Sequence, residues 1–135
     1  MTFIMNITDG KTNSFINKKT QMYSLFSVMF DFSEEGIDIT QQMKEIFFEF
    51  IQGYSMFKNE YEIECDTEDE QQTVEVLKRY KLASSEGVNK LNNRMIRYEI
   101  LKKLFLNEVN VTIDSIKRIE EKMETLAKTE NETFE

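Results

Sequence analysis

No histidine occurs among the 135 residues, and cysteine occurs once, at Cys65. A Ser-His-Asp or Cys-His catalytic arrangement is therefore excluded, and so is any imidazole metal ligand. A single thiol also excludes an internal disulfide and a thiolate zinc site. Tryptophan and proline are absent, alanine is limited to Ala83 and Ala127, and glycine occurs four times. Without proline, no helix is interrupted by a missing N–H or a ring clash. The longest uncharged run, Thr20–Phe30, is far too short to span a bilayer. The opening MTFIMNITDGK has no basic leader, and Asp9 breaks its apolar residues, so no signal peptide is read and the chain is expected in the cytoplasm.

The chain carries 40% hydrophobic and 31% charged residues, an ordinary globular mix. One domain is expected over residues 1–128, with a disordered acidic tail over 129–135. Usage leans on Phe, Ile, Met, Asn and Lys, whose codons are rich in A and T. That suggests a low-GC bacterium or one of its mobile elements.

Net charge is −8 but unevenly distributed. Residues 59–70 hold seven acidic groups and no basic one: Glu60, Glu62, Glu64, Asp66, Glu68, Asp69 and Glu70. Residues 71–111 hold eight basic groups and four acidic ones. The acidic run is the candidate partner-binding surface. It lacks the glycine and distal glutamate of an EF-hand loop, so no metal or other cofactor is expected. Cys65 lies among carboxylates, which suppress a thiolate, and on the apolar side of its segment; it reads as a small core residue.

Residues 2–7, TFIMNI, followed by Asp9-Gly10, predict a small hairpin with a second strand over 13–16. Met22–Phe32 fits two periods. Phe26, Val28, Phe30 and Phe32 make a strand face, while Met22, Leu25, Phe26 and Met29 make a helical one; the aromatic and β-branched content favours strand. Thr40–Gln52 predicts a helix with Asp38 and Gln41 as a reciprocal cap, an apolar face of Met43, Ile46, Phe47, Phe50 and Ile51, and a stop at Gly53. Residues 59–65, NEYEIEC, alternate, with Tyr61, Ile63 and Cys65 on one side and Glu60, Glu62 and Glu64 on the other, as in a half-buried strand.

Thr67–Leu82 predicts a helix opened by the Thr67-x-x-Glu70 capping box. Val88–Val109 predicts the central helix, apolar on two strips, with Lys90, Arg94, Arg97, Lys102 and Lys103 on a polar side that would balance the acidic run. Asn110–Lys128 predicts a last helix capped by Thr112. Its stripe of Ile113, Ile116, Ile119, Met123 and Leu126 suits one partner helix, within the chain or in a homodimer. The expected fold is α+β, a small N-terminal β element plus a four-helix, mostly helical core, with all-α as the alternative.

Within residues 99–120, EILKKLFLNEVNVTIDSIKRIE, the spacing of Val111, Ile116, Ile119 and Glu120 resembles a helix-turn-helix of the phage-repressor type. Leu106 and Asn110 depart from the small residues that family prefers. The resemblance implies DNA contacts at Thr112, Lys117 and Arg118. The function read first from the chain is a non-enzymatic, acidic protein-binding protein. In its concrete form it is a phage or mobile-element inhibitor of a basic nucleic-acid-binding host protein, acting in anti-CRISPR fashion. The alternatives are a DNA-binding regulator and a phage assembly or chaperone protein.

Overall fold

The computed structural model describes residues 19–85 and 91–133. Five helices form among them: α1 (Lys19–Glu35), α2 (Gln41–Met56), α3 (Glu68–Ser85), α4 (Leu91–Phe105) and α5 (Ile113–Thr133). No strand occurs among the described residues, so this part of the fold is all-α. The hairpin expected over residues 2–16 lies outside them. Helix α5 runs to Thr133, through residues that read as a tail in the sequence.

Met22–Phe32 is helical, not a strand. The four residues of the expected strand face divide: Val28 and Phe32 are fully buried, while Phe26 and Phe30 are exposed. Within each pair the residues are four apart and share a helix face, while the two pairs are offset by two residues, which a strand would hold on one side and a helix turns to opposite faces. The buried face is Gln21, Ser24, Leu25, Val28, Met29 and Phe32. Gly36, at φ 72°, ends the helix, with Ile37 N–H donating to Phe32 O at 2.8 Å and Gly36 N–H to Ser33 O at 3.3 Å. That is the left-handed C-terminal motif that glycine adopts without strain.

The cap of helix α2 lies two residues beyond the expected Asp38. Thr40 is the N-cap, its Oγ1 accepting from Met43 N–H at 3.1 Å, while Thr40 N–H donates to Met43 Sδ at 3.4 Å. Nor does Gly53 stop the helix, which continues to Met56. Gly53 is buried because α5 crosses there: a Cβ on it would lie 3.1 Å from Ile116 Cγ2 and 3.9 Å from Glu120 Cγ. Glycine serves close approach here rather than termination. Ile116 is fully buried and has nowhere to retreat. Gly53→Val is expected to lose about 1–3 kcal/mol by overpacking, read as a lower urea midpoint at unchanged slope.

Helix α4 is the centre of the bundle, packed on α1, α3 and α2, and α5 lies across α2 and α3. Helices α1 and α4 run in the same direction: Ser24 meets Arg97, and further along, Asp31 and Glu35 meet Lys102 at 3.9 and 3.5 Å. Aromatic rings fill the middle. Phe105 stacks on Phe47 at 5.4 Å and meets Phe32 edge-on at 5.9 Å, while Tyr80 meets the rings of Phe50 and Tyr54 edge-on. Each such pair adds about 0.5–1.5 kcal/mol beyond burial.

The buried strip of α4 is Arg97, Ile100, Leu101, Leu104 and Phe105. Leu91 and Met95, near its start, are exposed. Arg97, expected on the polar side, is the largest fully buried side chain. Its Nε donates to Ser24 Oγ at 3.1 Å and its Nη1 to Ala83 O at 2.6 Å. It thus satisfies a last-turn carbonyl of α3, where the macrodipole favours a cation. Beside it, Tyr80 Oη donates to Gln21 Oε1 at 2.7 Å, and Gln21 Nε2 to Ser84 Oγ at 2.9 Å. Burial pushes the Tyr80 phenol well above its ordinary pKa and pulls the Arg97 guanidinium down.

Helix α4 closes on Asn107, at φ 57°, with Glu108 N–H donating to Lys103 O at 2.9 Å and Asn107 N–H to Leu104 O at 3.3 Å. Helix α5 opens as expected on Thr112, whose Oγ1 accepts from Ser115 N–H at 3.0 Å; Thr112 N–H returns a bond to Ser115 Oγ at 2.9 Å. Ser115 Oγ also lies 2.7 Å from Thr73 Oγ1, tying α5 to α3 inside the core.

Candidate partner-binding surface

The acidic run forms the connection from α2 to α3. Phe57, buried, anchors its start, and its N–H caps α2 through Gly53 O at 3.0 Å. A turn follows, with Tyr61 N–H donating to Lys58 O at 3.0 Å. From there residues 61–65 form no strand, and no neighbouring segment pairs with them among the described residues. The alternation persists nonetheless. Tyr61, Ile63 and Cys65 are half-buried against the core, and Glu60, Glu62 and Glu64 are exposed. The apolar side chains, with the bond from Lys122 to Glu64 O, hold the segment down, and the carboxylates follow from the two-residue period.

The run ends at the start of α3. Thr67 caps that helix, its Oγ1 accepting from Glu70 N–H at 3.4 Å. The return bond of a capping box is replaced: Thr67 Oγ1 donates to Glu70 Oε2 at 2.8 Å. Glu70 is buried, and its other oxygen takes Lys122 of α5. Lys122 also donates to Glu64 O at 2.6 Å and Asp66 Oδ2 at 3.2 Å. Arg118, one turn earlier, pairs with Asp69 Oδ2 at 2.5 Å. The counter-charge to the acidic run is therefore α5, not the polar side of α4. Of the cations expected there, Lys102 pairs with α1, Arg97 is buried, Arg94 and Lys103 are exposed, and Lys90 lies outside the described residues.

These contacts order the titrations. The bond from Lys122, then that from Thr67, holds Glu70 below the usual carboxyl range; the bond from Thr67, then Arg118, does so for Asp69. Lys122 is raised, first by Glu70 and then by Asp66. Burial raises the Cys65 thiol, followed by the charges of Glu70 and Asp66 against the opposing Lys122, and its Sγ–H donates to Ile63 O at 3.6 Å. It stays a thiol at neutral pH, unsuited to nucleophilic work.

The seven acidic residues divide accordingly. Glu60, Glu62, Glu64, Asp66 and Glu68 face solvent, while Asp69 and Glu70 are held inward by α5. No three ligating side chains among the described residues gather where a metal ion could sit. A cavity of about 430 Å³ opens beside the run, with Ile63 and Leu126 as its apolar wall and Glu62, Glu64 and Asp66 at the rim. Lys122 and Arg118 are the partners that sequence reasoning missed. They lie some fifty residues away in the chain, and only the spacing of four on one helix face hinted that they act together.

The helix-turn-helix expected over 99–120 takes a different form. Residues 106–112 connect α4 to α5, longer than the roughly three- or four-residue turn of that motif. Of its implied DNA contacts, Lys117 is exposed, Thr112 caps α5, and Arg118 is paired with Asp69. In the expected dimer stripe, Ile116, Ile119 and Met123 are buried in the chain's own core, with Ile113 and Leu126 half-buried at its edges. No helix among the described residues is long and apolar enough to cross a membrane. Neither a family model, nor a curated protein, nor a solved structure matches this chain.

Proposed function

We propose that this is a non-enzymatic protein-binding protein whose acidic connection between α2 and α3 engages a basic partner. In its concrete form it is a phage or mobile-element inhibitor that occupies the nucleic-acid groove of a host defence protein, anti-CRISPR fashion. The supporting observation is the outward row of Glu60, Glu62, Glu64, Asp66 and Glu68 on a segment held down by Tyr61, Ile63 and Cys65. Carboxylates spaced along an anchored segment offer a preordered line of negative charge. A groove built for phosphates would accept such a line, and complementarity of this kind raises association rate and sets register.

Glu60, Glu62, Glu64 and Glu68 make no ion pair with another described residue, so their reversal to lysine leaves the internal contacts in place. A basic protein captured from host extract by the wild type is expected to bind the fourfold variant at least about tenfold more slowly at low salt. The steep salt dependence should flatten as well. A partner that binds both proteins at equal rates, with equal salt dependence, would sink the proposal.

A further inference from the structure

We propose that the cleft between the acidic connection and α5 receives an arginine side chain of the basic partner. The inference rests on the protein-binding reading above and names the contact through which that surface grips. The cleft holds about 430 Å³, within the range of about 300–1,000 Å³ usual for ligand sites. Ile63 of the connection and Leu126 of α5, both half-buried, give it an apolar lining. Glu62, Glu64 and Asp66 bring carboxylates to the same cleft, and all three are exposed.

Charge and shape together name the occupant. Lys122, the one cation lining the cleft, is already engaged: its Nζ donates to Glu64 O at 2.6 Å and to Asp66 Oδ2 at 3.2 Å, and it pairs with Glu70. The carboxylates of Glu62 and Glu64 make no ion pair with another described residue. Two open carboxylates beside an apolar surface suit a cation carried on an aliphatic stem. No three ligating side chains among the described residues gather closely enough for a metal ion. A guanidinium tolerates the wider spacing, because its five donors form a planar fork that can bond separate carboxylates, whereas an ammonium is a compact point charge. It is also more weakly hydrated than an ammonium, so it loses less on entering a partly apolar cleft. The arginine stem lies on Ile63 and Leu126, as long basic side chains do on apolar surface. Lys122 ties the connection to α5, so both walls of the cleft are set before a partner arrives, which lowers the ordering cost of binding.

The probe is acetylated, amidated hexa-arginine, titrated into the full chain at low salt by calorimetry. Glu62→Gln/Glu64→Gln neutralises the two open carboxylates of the cleft and is expected to weaken binding at least about tenfold. Glu60→Gln/Glu68→Gln removes the same charge from the same segment outside the cleft, and should weaken binding by no more than about twofold. Hexa-lysine should bind at least about fivefold more weakly than hexa-arginine. In NMR spectra of the wild-type complex, arginine side-chain protons should contact the methyl groups of Ile63 and Leu126. Equal losses in the two double variants would overturn the cleft while leaving the acidic surface as the docking face. So would hexa-lysine binding as tightly as hexa-arginine, or a complex without contacts to those methyl groups. If hexa-arginine binds and neither double variant weakens it, the cleft and the acidic docking surface fall together. Failure of hexa-arginine to bind at millimolar concentration overturns the cleft alone, since capture of a host protein is measured separately.

Discussion

Replacing Arg97 with alanine is expected to lower stability by about 3 kcal/mol, combining the cavity left by the deleted side chain with the broken hydrogen bonds to Ser24 Oγ and Ala83 O. At this chain length that corresponds to a fall of roughly 10 °C in melting temperature. The size of the effect follows from position. Arg97 joins three helices: it stands on α4, bonds Ser24 of α1, and satisfies Ala83 O at the end of α3. Truncation leaves that carbonyl and hydroxyl buried and empties the space between them. Arg97→Met separates the two contributions. Methionine refills most of the volume and removes a desolvated charge, which offsets part of the loss, so a deficit of about 1 kcal/mol is expected from the bonds alone. Urea unfolding of both variants measures this. An alanine variant as stable as wild type would show that the guanidinium contributes nothing net to the junction of α1, α3 and α4.

The second large effect is a pH dependence at the α2–α5 seam. Glu120 is buried beside Gly53, and its Oε2 finds no partner among the described residues. Its pKa is pushed up to about 8 from an ordinary 4.5, first by burial and then by a hydrogen bond and the like charge of Glu49, with Glu124 adding to this and Lys117 opposing it. Two carboxylates have no donor between them, so a bond between Glu120 and Glu49 exists only when the pair holds a proton. In the unfolded chain Glu120 releases its proton near 4.5; in the folded protein it keeps it to about 8. Across that window the native state binds more protons, and stability therefore falls as pH rises. The stabilisation is fully present below the unfolded value and gone above the folded one. Glu120→Gln holds the side chain in a neutral, hydrogen-bonding form throughout. The variant should match wild type within about 0.5 kcal/mol at pH 4 and exceed it by about 2 kcal/mol at pH 9, the scale of an unsatisfied buried acceptor. Denaturant titrations across pH give the curve. A difference independent of pH would mean that Glu120 does not titrate in the folded range.

Both effects come from groups that one-dimensional patterning assigns to the surface. Arg97 was expected beside Lys90, Arg94, Lys102 and Lys103 on the wet side of the central helix, and Glu120 entered only as a match in a repressor-like spacing. The acidic run fared differently. Its alternation is a local property: every second side chain of an extended backbone points the same way whether or not a neighbour pairs with it. The half-burial of Tyr61, Ile63 and Cys65 and the exposure of Glu60, Glu62 and Glu64 were therefore legible, although the strand was not formed. The absence of pairing was not legible, because a partner strand is a fact about another part of the chain.

What the sequence determined by itself is what short-range physics sets. Helices α2, α3 and α5 carry apolar residues at helical spacing, and Thr67 and Thr112 cap their helices from within four residues. What the tertiary structure decided is everything that depends on residues far apart meeting. Met22–Phe32 had two consistent periods, and packing on α4 selected the helix by burying Leu25, Val28 and Phe32 together. Gly53 carried the signal of a helix stop, yet α5 crosses it at Ile116 and the helix continues. The counter-charges for Asp69 and Glu70 are Arg118 and Lys122, not the nearer basic residues of α4, because the bundle lays α5 along the start of α3. A side chain's period says which face it shares with its neighbours, and only the arrangement of helices says what that face meets.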